Sequence, residues 1–112
     1  MFEYWVKSDL QKPLYVEIMK GALFSGDGSA NKIGVEVFNN GAVATLSGTV
    51  KANVITPTGT IEVNGTLSGN KASVVLPSSA YANPGRIGVF IKLINNSDIT
   101  TLCGVEGYVY RG

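Results

Sequence analysis

From residue 30 onward this chain keeps one rhythm. Short runs of alternating apolar and polar residues are cut by turn-forming residues roughly every 8–12 positions. A period of two places every second side chain on one face of an extended strand. A chain built this way buries a face of a sheet, not a stripe of a helix. Ile33, Val35 and Val37 alternate with Gly34, Glu36 and Phe38, and Asn39-Asn40-Gly41 follows. Asn and Gly tolerate positive φ, so this is a hairpin turn. Thr49 to Thr56 alternates again, with Val50, Ala52 and Val54 in phase, and ends at Pro57-Thr58-Gly59. Pro presets φ there and Gly supplies the permissive corner.

Ile61, Val63, Gly65 and Leu67 share the next phase as one strand, closed by Ser68-Gly69-Asn70, and Ala72 to Leu76 is short and apolar. The longest break after residue 32 is Pro77 to Gly85. Arg86 to Ile94 is the strongest strand: Ile87, Val89, Ile91 and Leu93 fall on one face, Phe90 and Ile94 on the other. Apolar residues in both phases imply burial on both sides. Asn95 to Asp98 turns the chain into a last strand, Ile99 to Arg111. Leu14 to Met19 reads as a further strand, since Val16 and Ile18 alternate with Glu17 and Met19.

The expected fold is all-β: an immunoglobulin-like antiparallel β-sandwich of about seven strands over residues 15–112, preceded by an N-terminal arm or edge strand over 1–14. The 112 residues suit one domain with an ordinary core. The Cys and Trp pattern of an antibody domain is absent, because Trp5 is near the start and Cys103 has no partner. Cys103 reads as a small buried hydrophobe.

The opening segment differs from the rest. Phe2, Tyr4, Trp5, Val6, Leu10 and Leu14 are apolar or aromatic, but Lys7-Ser8-Asp9 and Gln11-Lys12-Pro13 interrupt them. Pro13 argues against a central strand. Two readings stand. The segment folds back as an edge strand, or it carries Phe2, Tyr4, Trp5, Val6 and Leu10 into a neighbouring subunit as an assembly interface. Tyr and Trp favour the second, since they bury large area at low entropic cost.

Chemistry is sparse. There is no histidine, so imidazole bases, Ser-His-Asp and Cys-His arrangements and histidine metal sites are excluded. The eight carboxylates are scattered, and Glu36 and Glu62 are the pair most able to meet across a sheet; both lie in polar phases and read as solvated. Asp27, Ser29 and Asn31 have the odd spacing of a calcium loop but no closing bidentate Glu. The expectation is a non-enzyme with no catalytic residue, no metal and no cofactor. The net charge is +1 and the Lys and Arg residues are spread from Lys7 to Arg111, which argues against nucleic acid as a partner. No run approaches the roughly 20 apolar residues of a membrane span. Met1 to Trp5 does not have the form of a signal peptide, and synthesis in a cytoplasm is expected.

The succession Asn31-Lys32-Ile33-Gly34-Val35-Glu36-Val37-Phe38-Asn39-Asn40-Gly41, Leu46-Ser47-Gly48-Thr49-Val50, Pro57-Thr58-Gly59, Gly65 to Ala72, Val75-Leu76-Pro77, Ala80-Tyr81 and Pro84-Gly85-Arg86-Ile87 resembles the N-terminal domain of phage baseplate upper proteins. It is also similar to short head-fibre or accessory capsid proteins of phages of gut Gram-positive bacteria. The likeness covers about residues 20–94. It implies an immunoglobulin-like sandwich that assembles symmetrically on a virion, with other virion proteins as partners, a homo-oligomeric state and synthesis in the bacterial host. The family transfers no catalytic residue. The sequence departs from the baseplate pattern at Tyr110-Arg111-Gly112, where no stalk follows. A self-contained decoration or head-fibre subunit, and a single domain of a longer protein, therefore stand beside the baseplate adaptor. An alternative from another class is a carbohydrate- or host-surface-binding module, with Tyr81, Tyr108 and Tyr110 as candidate contacts. Against it, Tyr81 is expected to pack over the sandwich end and Tyr108 and Tyr110 to bury area along one face of the last strand. A small hydrolase would require a carboxylate pair in a pocket.

Overall fold

The computed structural model describes residues 2–26 and 31–112, with the backbone alone at Phe2. The calcium-like spacing at Asp27 and Ser29 therefore lies outside the described residues. Eleven strands follow in chain order among those described: β1 Phe2–Asp9, β2 Val16–Ile18, β3 Leu23–Phe24, β4 Asn31–Asn39, β5 Ala42–Val43, β6 Thr49–Thr56, β7 Gly59–Asn64, β8 Thr66–Ser68, β9 Lys71–Leu76, β10 Gly85–Asn95 and β11 Asp98–Tyr110. One 3-10 turn covers Ser78–Tyr81.

They form two sheets packed face to face. The first runs β1-β4-β9-β8, with β5 on β4; the second runs β2-β11-β10-β6-β7, with β3 on β11. The expected phases are the buried ones. Ile33, Val35 and Val37 from the first sheet meet Ala52, Val54, Ile87, Ile91, Val105 and Val109 from the second, all nearly inaccessible to solvent. Burying such side chains at about 25 cal/mol per Å2 of apolar surface is the main force holding the sheets together. The predicted turns form where positive φ is affordable: Asn40 at 52° and Gly41 at 87°, Gly59 at 144°, Asn96 at 56°.

The all-β sandwich is as expected; its sheets are not purely antiparallel. β1 runs parallel to β4, and β2 and β3 run parallel to β11. Hairpin signals specify only antiparallel neighbours. These parallel pairs are closed by connections that cross from sheet to sheet, and no local turn announces them. The strand count also differs from about seven, partly because Ile61 to Leu67 is two strands in different sheets. β7 pairs with β6 and β8 with β9, and the crossing falls on Gly65, whose N–H donates to Val50 O at 2.8 Å. A Cβ at Gly65 would meet Ser73 O, Val50 and Val74, so only glycine lets the chain pass there without displacing its neighbours.

Burial of β10 on both sides does not hold. Ile87, Val89 and Ile91 are in the core, but Phe90 lies on the outer face of the second sheet, where its ring rests against Gly104 and Gly88 and stays partly exposed. A bulge between Ile91 and Lys92 puts both Leu102 and Cys103 of β11 in the core.

The sandwich is asymmetric. Continuity through Gly65 stitches the two sheets along one side. On the other side β1 and β2 are the edges, and the sheets part around a groove of about 630 Å3.

Candidate functional site

β1 places most of the residues singled out at the N-terminus. Its register with β4 pairs Tyr4 with Ile33, Trp5 with Gly34, Val6 with Val35 and Lys7 with Glu36. Alternation then divides them. Val6 is buried in the domain's own core and is not open to a neighbour. Tyr4 also points inward: it packs on the core, and its Oη reaches Ile18 O at 3.5 Å. Leu10, beyond the strand, is 41% exposed. The side chain of Phe2 lies outside the described residues. The five therefore do not form one outward patch.

Trp5 faces out. Its indole lies over Gly34, the one cross-strand partner on β4 with no side chain to displace it. Its Nε1–H donates to Glu3 Oε1 at 3.0 Å, and the Lys71 ammonium stands 5.9 Å from the ring centroid. Such a cation over an aromatic face is attracted by the ring quadrupole. Trp5 nevertheless keeps 41% of its surface exposed. Sequence reading singled out Trp5 but not Glu3 and Lys7, which flank it on the same outer face; the period of two was the signal for them.

The far end of β1 is fixed by Asp9. Its carboxylate accepts from the backbone N–H groups of Gln11, Asn40 and Gly41, each at 2.9 Å. Those bonds, led by that of Gln11, hold its carboxyl below the ordinary carboxylate range. The groove on the open side begins here and is lined by Val6, Ser8, Pro13, Leu14, Tyr15 and Cys103, among others. Tyr15 is 76% exposed. Cys103 is buried, and burial pushes its thiol up to about 12, so thiolate chemistry has no footing.

A second surface lies on the outer face of the second sheet. Tyr108 and Tyr110 have ring centroids 5.0 Å apart, and Phe24 of β3 extends the row at 6.0 Å from Tyr110. Both tyrosines are about half exposed, contrary to the burial expected of them, because no third layer covers this sheet. Tyr81 is buried, in the 3-10 turn at the end of the sandwich. A shallow depression beside the row is lined by Arg86, Glu106, Tyr108 and Tyr110.

The carboxylates do not converge. Glu36 lies on the outer face of the first sheet and Glu62 on that of the second, with the core between them, so they cannot meet. Glu62 is held by Lys51 and Lys92, each at 3.4 Å, and the Lys92 hydrogen bond is the main cause of its lowered pKa. Among the described residues no three Asp, Glu or Cys side chains gather as a metal site would require.

The geometry defines a two-layer β-sandwich with mixed sheets, a stitched side and an open side. A solved structure with the same fold is the N-terminal domain of ORF48 of phage TP901-1. It is similar at a TM-score of 0.61 and 12% identity, over 99% of this chain and 98% of that domain. The sequence resemblance to phage baseplate N-terminal domains is thus matched by the fold. No family model matches the chain, and no curated protein matches it.

Proposed function

We propose that this chain is a non-enzymatic structural module of a bacteriophage particle, made in the host cytoplasm and attached to other virion proteins as a baseplate or tail accessory subunit or as a capsid decoration or head fibre. The observation that carries this reading is the likeness to a phage domain along practically the whole chain, 99% of it, rather than along one motif. The chemistry of the surface agrees with it: the exposed groups offer aromatic contact area and ion pairs. The exposed side of β1 with Trp5, together with Leu10 beyond the strand's end, is the assembly surface in this reading, and symmetric self-association accompanies it.

The test is the composition of the particle. Virions of the phage that encodes the chain, banded on a density gradient, should contain it in a fixed ratio to the major structural proteins. Antibody labelling should mark either head or tail. Particles that lack the chain would refute the proposal.

The aromatic row favours a second reading, a carbohydrate- or host-surface-binding module on the same particle. Tyr108, Tyr110 and Phe24 form a row of tilted, exposed rings, any one of which offers a face for a sugar ring to stack on, and Arg86 and Glu106 stand beside it. Retention of the protein on host cell-wall polysaccharide, lost in Tyr108→Ala with Tyr110→Ala, would establish it. Unchanged retention in that variant would exclude the row.

A further inference from the structure

Among the described residues β1 is the longest edge strand, and its pairing with β4 uses only half of its backbone. Leu10 N–H donates to Phe38 O at 2.8 Å and continues the ladder. In a parallel ladder, the residues that bond the partner strand alternate with residues whose N–H and C=O point the opposite way. Leu10 fixes the phase. Tyr4, Val6 and Ser8 turn their backbone groups to β4, and Glu3, Trp5 and Lys7 turn theirs to the free edge. The indole of Trp5 lies back over Gly34 and leaves that edge open.

We infer that this edge pairs with the same edge of a second copy, antiparallel and centred on Trp5, so that the two first sheets join across a twofold axis. The inference rests on the reading of β1 as the assembly surface and names the partner. In this register Trp5 stands opposite Trp5, and Glu3 opposite Lys7 of the second copy, twice. These are the residues whose backbone groups are free to exchange hydrogen bonds. Their side chains share the outer face, so each Glu3 carboxylate meets a Lys7 ammonium on either side of the two indoles. Opposite charges directly across strands stabilise a pair, and like charges oppose it.

Charged residues on an edge usually discourage pairing. Here the two signs sit at equal distance from the centre, so a single register is favoured and slipped registers are not. The other long edge, β7, has Glu62 as its one charged residue, which Lys51 and Lys92 already hold. β2, β3 and β8 are two or three residues long. An isologous contact of this kind closes on itself as a dimer and does not propagate as a filament. It also brings the open sides of the two sandwiches together, where Leu14 and Tyr15 are exposed.

Charge reversal with the full chain tests the inference. Glu3 and Lys7 are both exposed, so Glu3→Lys and Lys7→Glu should fold with the wild-type circular dichroism spectrum and, at concentrations where all are monomeric, the wild-type melting midpoint. By sedimentation velocity the wild type should dimerise with rising concentration. Each single variant should pair about tenfold more weakly, since two cross-strand pairs turn from opposite to like charge. An equimolar mixture of the two variants should recover pairing as a heterodimer, because all four charges are again opposed. The double reversal should recover the homodimer. A wild type that stays monomeric, a dimer that neither single variant weakens, or weakened variants whose equimolar mixture does not pair again, overturns the pairing. Particle composition is scored separately. A chain found in virions that does not pair leaves the structural role standing, and a chain that pairs but is absent from virions removes that role and keeps the dimer.

Discussion

Replacing Gly65 by alanine should destabilise the domain by about 1–2 kcal/mol. An added Cβ would stand 2.6 Å from Ser73 O, 2.6 Å from Val50 Cγ1 and 2.8 Å from Val74 Cγ1. None of the three yields easily. Ser73 lies in the middle of β9, paired on both sides by Gly34 and Thr66. Val50 and Val74 are buried, and β-branched side chains have little freedom at χ1. Overpacking of this kind costs about 1–3 kcal/mol. The alanine returns about 0.4–1 kcal/mol by restricting the unfolded chain. For a domain of this size each kcal/mol lowers the melting midpoint by about 4 °C. Urea unfolding followed by tryptophan fluorescence should show a lower midpoint at unchanged slope. Gly88→Ala is the matched control: its Cβ would meet the ring of Phe90 at 3.1 Å, and that ring is partly exposed and can swing aside. Its effect should stay within about 0.5 kcal/mol. A Gly65→Ala variant as stable as the control would refute the account of Gly65 as the tight crossing between sheets.

Three further outcomes are expected. Ile91→Ala, at a fully buried position, should cost about 2–5 kcal/mol in the same assay, from lost burial and the cavity left behind. The Asp9 carboxyl is depressed in the folded state, so its contribution to stability is present above its unfolded pKa and is lost as pH falls through the lower folded value; Asp9→Asn should flatten that acid limb in melts between neutral pH and pH 2. Cys103 should resist a thiol reagent at pH 8 in the native protein and react at once in denaturant, because burial keeps it protonated.

The phase of Ile33, Val35 and Val37 was read correctly because each apolar residue is separated from the next by one residue, and a one-residue slip would expose all three. The turns at Asn39-Asn40-Gly41 and Asn95 to Asp98 were read correctly because local backbone chemistry decides them. The parallel pairing of β1 with β4 was not legible. It depends on how β1 meets a strand some thirty residues on, and no pattern in Phe2 to Asp9 encodes that partner. The break at Gly65 left only a glycine in phase, which bulges and close approaches also produce. Exposure of Phe90, Tyr108 and Tyr110 was misjudged because strand periodicity shows which residues share a face, not whether another layer covers it.

At the candidate assembly surface, Trp5 was found by its residue type, and its neighbours Glu3 and Lys7 were passed over as ordinary polar residues. Val6 is adjacent to the exposed Trp5 in sequence but not in space. A strand separates such neighbours onto opposite faces.

The parallel placement of β1 also decides how the domain answers to force. Phe2 is level with Asn31 at the start of β4, and Tyr110 lies beside Phe24, only a few residues before that start. The start of β1 and the end of β11 therefore lie at the same pole. A pull between them loads the hydrogen bonds of each ladder one after another, as a zip opens, instead of shearing a row of them together. The domain should be mechanically soft along that line and open from the β1 side, whereas a pull between this pole and a turn at the opposite one would load the ladders lengthwise.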